Sequence, residues 1–251
     1  MPEGLTDASF LVLITGVFLF AAVIKGTLGI GLPAVSVGVM SQFLPPHTAI
    51  AVVVFPLVFS NIWQVIRARA GWTTLRRYWV LAALLAGSLW ITTYFTARMS
   101  ADFLLGVIGV TVVVFAVSSL IGTPPRLPDR FDRLGQSISG LSAGVMGGFT
   151  SIWSPPLVIY LVARRIDGDE FVRATGLLIS IGSVPLVIGF WQADLLNGAT
   201  APLSAAMLVP TLIGFTIGER IRKRLNPRAF RLAVIWLFLL MGLNLLRRAF
   251  F

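Results

Sequence analysis

Ala22-Val23-Ile24-Lys25-Gly26-Thr27-Leu28-Gly29-Ile30-Gly31-Leu32-Pro33 interrupts an apolar run that extends from about Phe10 to Leu44. A lysine at the centre of a membrane span costs roughly 2.5–3.5 kcal/mol on insertion scales, so Lys25 is expected to face a cavity or a partner rather than lipid. Gly26, Gly29 and Gly31 accept backbone angles that break a helix, and Pro33 suits the first turn of a new one. Bare backbone at membrane depth is viable only where protein or water covers its polar groups. The window therefore reads as a broken helix lining a site.

Working outward, the whole chain shares this apolar character. Of its 251 residues 57% are hydrophobic and only 12% charged, against roughly 25% charged in a soluble domain, and the mean hydropathy is +0.90. The expected class is an all-α polytopic membrane protein with no separate soluble domain. A net charge of +10 raises the question of nucleic acid. The arginines, however, sit in short loops between apolar spans, which the positive-inside rule explains without a nucleic-acid partner. There are no cysteines, so disulfides and thiolate metal sites are excluded. Met1 to Ser9 carries Glu3 and Asp7 but no basic residue, unlike the start of a signal peptide, so the first apolar run is expected to be retained.

Apolar segments fall at 9–24, 33–44, 48–66, 78–97 and 103–121, and after a polar loop at 137–152, 155–163, 171–190, 201–218 and 230–246. A full crossing needs about 20 helical residues, so 33–44 and 155–163 are expected to return only part of the way. The two halves match in order. At an offset of 122 residues Gly26 falls on Gly148, Ile30 on Ile152 and Pro33 on Pro155; at 127, Gly87 falls on Gly214, Phe103 on Phe230, Leu105 on Leu232 and Val107 on Val234. The reading is two repeats of five segments, 1–122 and 137–251, joined by a cytoplasmic linker at 123–136, each repeat beginning with a broken hairpin. Basic clusters at Arg67–Arg77, Arg126–Arg133, Arg164–Arg165 and Arg220–Arg228 all reach the cytoplasm if the N-terminus lies outside and each short segment reverses direction. Both chain termini are then expected on the outer face. Arg98 and the Arg247–Arg248 pair run against the rule. An odd number of segments per half inverts the second repeat, and inverted repeats place substrate sites near the midplane where broken helices meet.

The second break runs from Gly144 through Gly147, Gly148, Thr150, Ser151, Trp153 and Ser154 to Pro155 and Pro156. Helix N-termini carry unpaired N–H groups and about half a positive charge, which suits an anion. Two such termini, after Pro33 and Pro155, are expected to converge near Lys25, with the hydroxyls of Thr27, Thr150, Ser151 and Ser154 at hand. The plain alternative is that these small residues only allow helices to pack closely. Lys25 itself has the alternatives of snorkelling to an interface or pairing with a backbone carbonyl. Trp153 is either a gate beside the break or core. Asn61 and Gln64 either line a path or bond between helices. His47 has a helix-start role or a proton-transfer role, and Arg173 either snorkels or meets substrate.

The Gly26-x-x-Gly29-x-Gly31-x-Pro33 break, the glycine-rich segment ending in Pro155-Pro156 and the pattern Leu44-Pro45-Pro46-His47-x-Ala49 resemble the signatures of the TauE/SafE family of sulfite exporters. The resemblance runs from about Gly16 to Leu246. It implies a multi-pass protein of the bacterial inner membrane that moves a small sulfur-containing anion such as sulfite, sulfoacetate or another organosulfonate. Its other partner is membrane lipid. Ser151, Trp153 and Ser154 stand where that family more often has glycines.

Function classes can be separated further. Every Asp and Glu maps to a loop or a segment end, so no carboxylate is expected at mid-membrane as a proton relay or sodium ligand. With one histidine and no cysteine the usual parts of an intramembrane hydrolase or metalloenzyme are missing, no Walker-type loop is present, and no cofactor or metal is expected. The expected function is secondary transport, with Lys25, Gly26, Thr27, Gly29, Gly31, Pro33, Thr150, Ser151, Trp153, Ser154 and Pro155 as substrate-binding candidates. The alternative class is a membrane subunit that scaffolds an assembly.

Overall fold

The fold is taken from a computed structural model, which describes residues 7–28, 31–68, 71–120, 122, 124–222 and 227–250. Every regular element among them is helical. The first break separates α1 (Asp7–Leu28) from α2 (Leu32–Met40), and a second hairpin pairs α8 (Asp132–Thr150) with α9 (Ser154–Ala163). Between them run α3 (Pro46–Val52), α4 (Val54–Ala68), α5 (Trp72–Arg77), α6 (Trp79–Thr96) and α7 (Ala101–Leu120). After the second hairpin come α10 (Gly168–Gln192), α11 (Thr200–Ala206), α12 (Leu208–Arg222) and α13 (Pro227–Phe250). Seven stretches among the described residues are long and apolar enough to cross a membrane, and α9, at 10 residues, falls short. The protein is a multi-pass membrane protein.

Local chemistry explains where the elements differ from the apolar segments. Two segments each become a pair of helices, α3–α4 and α11–α12, interrupted at Val53 and Met207. Pro56 and Pro210 each lie three residues beyond the interruption, where a proline removes the i→i−4 bond and crowds the preceding turn. Helix α8 begins at Asp132, five residues before the apolar segment, because its first turn is polar. The loop expected around residue 72 contains a full turn and a half of helix, α5.

Packing rests on close backbone approach. On α12, Gly214 and Gly218 are one GxxxG pair; a Cβ on Gly218 would lie 2.3 Å from the Val23 carbonyl oxygen of α1, and one on Gly214 only 2.4 Å from that of Leu19. Small residues at this spacing let membrane helices meet backbone to backbone. In the same way α8 lies along α6, with the Cβ position of Gly140 2.7 Å from the Leu81 carbonyl oxygen and that of Gly148 2.6 Å from Thr92 Cβ. Thr96 Oγ1 donates to the Gly148 carbonyl at 2.8 Å. Gly218→Ala is expected to destabilise the protein by about 1–3 kcal/mol, the usual cost of overpacking. The check is the thermal midpoint of the purified protein, since an unchanged midpoint would mean that α1 and α12 do not touch there.

Helix α10 spans the bundle; its 25 residues reach about 37 Å at 1.5 Å per residue. Near one end Glu170 pairs with Arg77 at 3.6 Å, and near the other Gln192 accepts from Trp90 Nε1 at 3.1 Å. Residues 71–78 and 193–199 thus lie at opposite ends. At the Glu170 end Arg164 holds both Asp129 and Asp132 at 2.8 Å, while Tyr160 donates to Asp132 at 2.7 Å and Gln136 at 2.9 Å. The flanks carry exposed Phe20, Ile62, Ile91, Val184 and Leu240, as a lipid-facing surface requires.

Candidate functional site

Lys25 lies in the last turn of α1 and is 3% exposed. Its ammonium donates to Ser60 Oγ at 2.8 Å and Asn61 Oδ1 at 2.7 Å, both on α4. Asn61 Nδ2 in turn donates to Ser183 Oγ on α10 at 3.2 Å, and Ser183 donates to the Ile179 carbonyl at 3.0 Å. One polar chain therefore crosses the bundle from α1 through α4 to α10. Among the described residues no carboxylate pairs with Lys25. An ammonium has three donors; two are used here, and both acceptors are neutral.

The remaining side of Lys25 faces a cavity of about 20 Å³ that also touches Gly31, Pro33, Ser151, Trp153 and Ser154 and is closed by Leu57 and Ile179. That is room for about one water, too little for a sulfonate.

The breaks differ in detail. Gly31 caps α2 at φ 104°, ψ −6°, a conformation that side chains resist. In the second hairpin Ser151 takes φ 58°, its N–H bonded to the Gly147 carbonyl at 2.8 Å and its Oγ donating to the Ile50 carbonyl at 3.2 Å. The first turn of α2 offers the N–H groups of Leu32 and Ala34. That of α9 offers only Ser154 N–H, because Pro155 and Pro156 have none. The two N-termini thus differ in the backbone donors that they present. Trp153 is 2% exposed with no partner for Nε1. Gly182 of α10 makes room for it, since a Cβ there would lie 2.9 Å from that nitrogen.

The structure brings Lys25, Gly31, Pro33, Ser151, Trp153 and Ser154 to one cavity, with Asn61 directly behind. Other candidates lie elsewhere. Gly26 packs against α12, its Cβ position 2.4 Å from the Phe215 carbonyl oxygen. Thr27 donates to the Val23 and Gly218 carbonyls at 2.8 and 3.3 Å, and Thr150 to Met146 at 2.6 Å. Gln64 packs beside Gly176, and Arg173 bonds Glu170 at 3.4 Å. His47 opens α3 with Nε2 buried and unpartnered. Gly29 lies outside the described residues. Sequence reasoning missed Ser60, Ser183 and Gly182. Ser183 carried a signal: it follows Asn61 by 122 residues, the same offset that relates the two breaks.

A second, larger cavity of about 420 Å³ opens between α7, α9 and α13 at the Arg164 end, with Phe115, Val158, Val162 and Val234 among its walls. Leu28, Pro155 and Phe238 also line it, and it shares no lining residue with the cavity at Lys25. The Phe238 ring approaches within 3.7 Å of where a Gly31 Cβ would sit and meets Phe115 edge to face at 5.1 Å.

Compared with known proteins, the chain matches one family model, described as Sulfite exporter TauE/SafE, over residues 14–245. No curated protein and no solved structure matches it.

Proposed function

Because the chain belongs to the sulfite exporter TauE/SafE family, we propose that it is a secondary transporter, working as an exporter, for a small sulfur-containing anion such as sulfite, sulfoacetate or another organosulfonate. The anion binds near the midplane between the two broken hairpins and in contact with Lys25. The observation that carries this reading is a buried lysine with no carboxylate among the described residues, facing a cavity lined by both breaks. A charge held at such depth is expensive without function. Lysine acts as a point charge on a flexible stem, which suits a tetrahedral anion approached from several directions. The Ser151 and Ser154 hydroxyls and the Leu32 and Ala34 N–H groups complete the shell once the hairpins part.

The architecture in this reading is two inverted repeats, 1–122 and 137–251, about a cytoplasmic linker at 123–136. Reciprocal packing supports it: the first helix of each half lies along the fourth span of the other, α1 on α12 and α8 on α6, while α7 meets α13 and α4 meets α10. The end that carries Arg77, Arg164 and Arg165 faces the cytoplasm of a bacterial inner membrane. Alternating access then follows from rocking one half against the other around the fixed site.

Purified protein in liposomes tests the reading. Saturable flux of sulfite or an organosulfonate under a proton or electrical gradient is expected. Absence of flux under both would overturn it in favour of a scaffold.

A further inference from the structure

The two ends of the bundle are closed to different degrees. At the Arg164 end α9 touches α7 but stands off α13, and the 420 Å³ cavity lies between them. At the opposite end α2 is drawn onto α13. Arg248 Nη1 donates to the carbonyls of Ser41 at 2.9 Å and Gln42 at 2.6 Å. Asn244 Nδ2 donates to Gln42 Oε1, and Gln42 Nε2 reaches the Gly38 and Met241 carbonyls at 3.2 and 3.4 Å. Gly38 lets the helices close, since a Cβ there would lie 3.2 Å from the Met241 methyl. On the same side of the cavity, α7 and α13 cross at Gly109 and Gly242, where a Cβ on Gly242 would meet the Gly109 carbonyl oxygen at 3.1 Å.

Arg248 is one of the basic residues that runs against the charge rule for orientation, and the contacts give it a use. It sits on the carbonyls of Ser41 and Gln42 just beyond the end of α2, close to the terminus where a helix concentrates partial negative charge. We propose that Arg248, Asn244 and Gln42 form a latch that shuts the outer end of the transport path while the 420 Å³ cavity opens the cytoplasmic end, so that release of the latch is the step that exposes the Lys25 site to the outside. The inference rests on the transport reading above. It adds that α2 moves against α13 and that these three residues set the balance between states. The latch involves no group that touches the anion, so it biases the two orientations without altering the site.

The chain has no cysteine, which makes thiol chemistry site-specific. In the full-length protein carrying Gln42→Cys and Asn244→Cys, a short bis-methanethiosulfonate cross-linker is expected to slow flux of a short organosulfonate, which leaves disulfides intact, by at least about tenfold, with recovery on reduction. In a second variant, Ser118→Cys in the large cavity, labelling by a membrane-impermeant thiol reagent from the cytoplasmic side reads the inward-open population. Adding Arg248→Met is expected to lower that labelling by at least about threefold. Flux that persists through the cross-link, or labelling of Ser118→Cys that ignores Arg248→Met, would overturn the latch. Absence of flux before any cross-linking, with the labelling shift intact, would instead overturn the transport reading and support the latch as a conformational contact.

Discussion

Lys25→Met is expected to lower sulfite or sulfonate flux in liposomes at least tenfold, equivalent to about 1.4 kcal/mol of lost binding, while the protein stays folded. Methionine keeps the apolar stem and removes the charge. The account separates function from stability at this residue. A buried ammonium held, among the described residues, by Ser60 and Asn61 costs desolvation that two neutral acceptors offset in part, and replacing buried charge by an apolar group of similar size is often neutral or stabilising. The substitution also strips a donor from Asn61 Oδ1, at a cost of about 1–3 kcal/mol, so the two terms nearly cancel. Lys25→Arg is expected to rescue poorly. The planar guanidinium is larger than the ammonium, and the cavity beside it holds about 20 Å³. Flux unchanged in Lys25→Met would move the site away from the breaks.

The second large effect is at Asn61. Asn61→Leu removes the acceptor for Lys25 and the donor to Ser183 together, leaving the ammonium, among the described residues, with Ser60 alone in a buried site. Hydrogen bonds to charged groups contribute about 1.5–3 kcal/mol each, so a fall of about 2–3 kcal/mol in stability is expected, read from chemical unfolding of the purified protein. Because the cost arises from stranding the charge, Lys25→Met in the same chain should recover much of it. A double-mutant cycle over Lys25 and Asn61 is then expected to show a coupling of more than about 1 kcal/mol. Additive effects would mean that Asn61 acts through packing alone.

Much of this arrangement was legible in the sequence, for physical reasons that can be named. Lys25 in an apolar run announces a cavity because lipid excludes charge, and Gly31 with Pro33 announces a helix restart. The same reasoning marked Ser151 and Ser154 by their place just before Pro155. It misplaced Gly26: flexibility and close packing both call for glycine, and only the facing helix tells them apart. The i, i+4 glycines at 140, 144 and 148 and at 214 and 218 carried that packing signal. Pro155 lies in the first turn of α9, and with Pro156 it strips that turn of two N–H donors and leaves Ser154 N–H alone there. Ser60 and Ser183 were not identified because a single serine in a span has no periodicity, and their role appears only when α4 and α10 cross. Arg248 runs against the charge rule, and its partners, the Ser41 and Gln42 carbonyls just beyond α2, come within reach only where α13 meets α2.

The central claim, that the anion lies against Lys25 between the breaks, is tested most directly by calorimetric titration of sulfite and a short organosulfonate into purified wild-type protein and Lys25→Met. The account predicts saturable binding to the wild type, a weakening of at least tenfold in the variant, and thermal midpoints that stay close together. Equal affinity in the two proteins would contradict it.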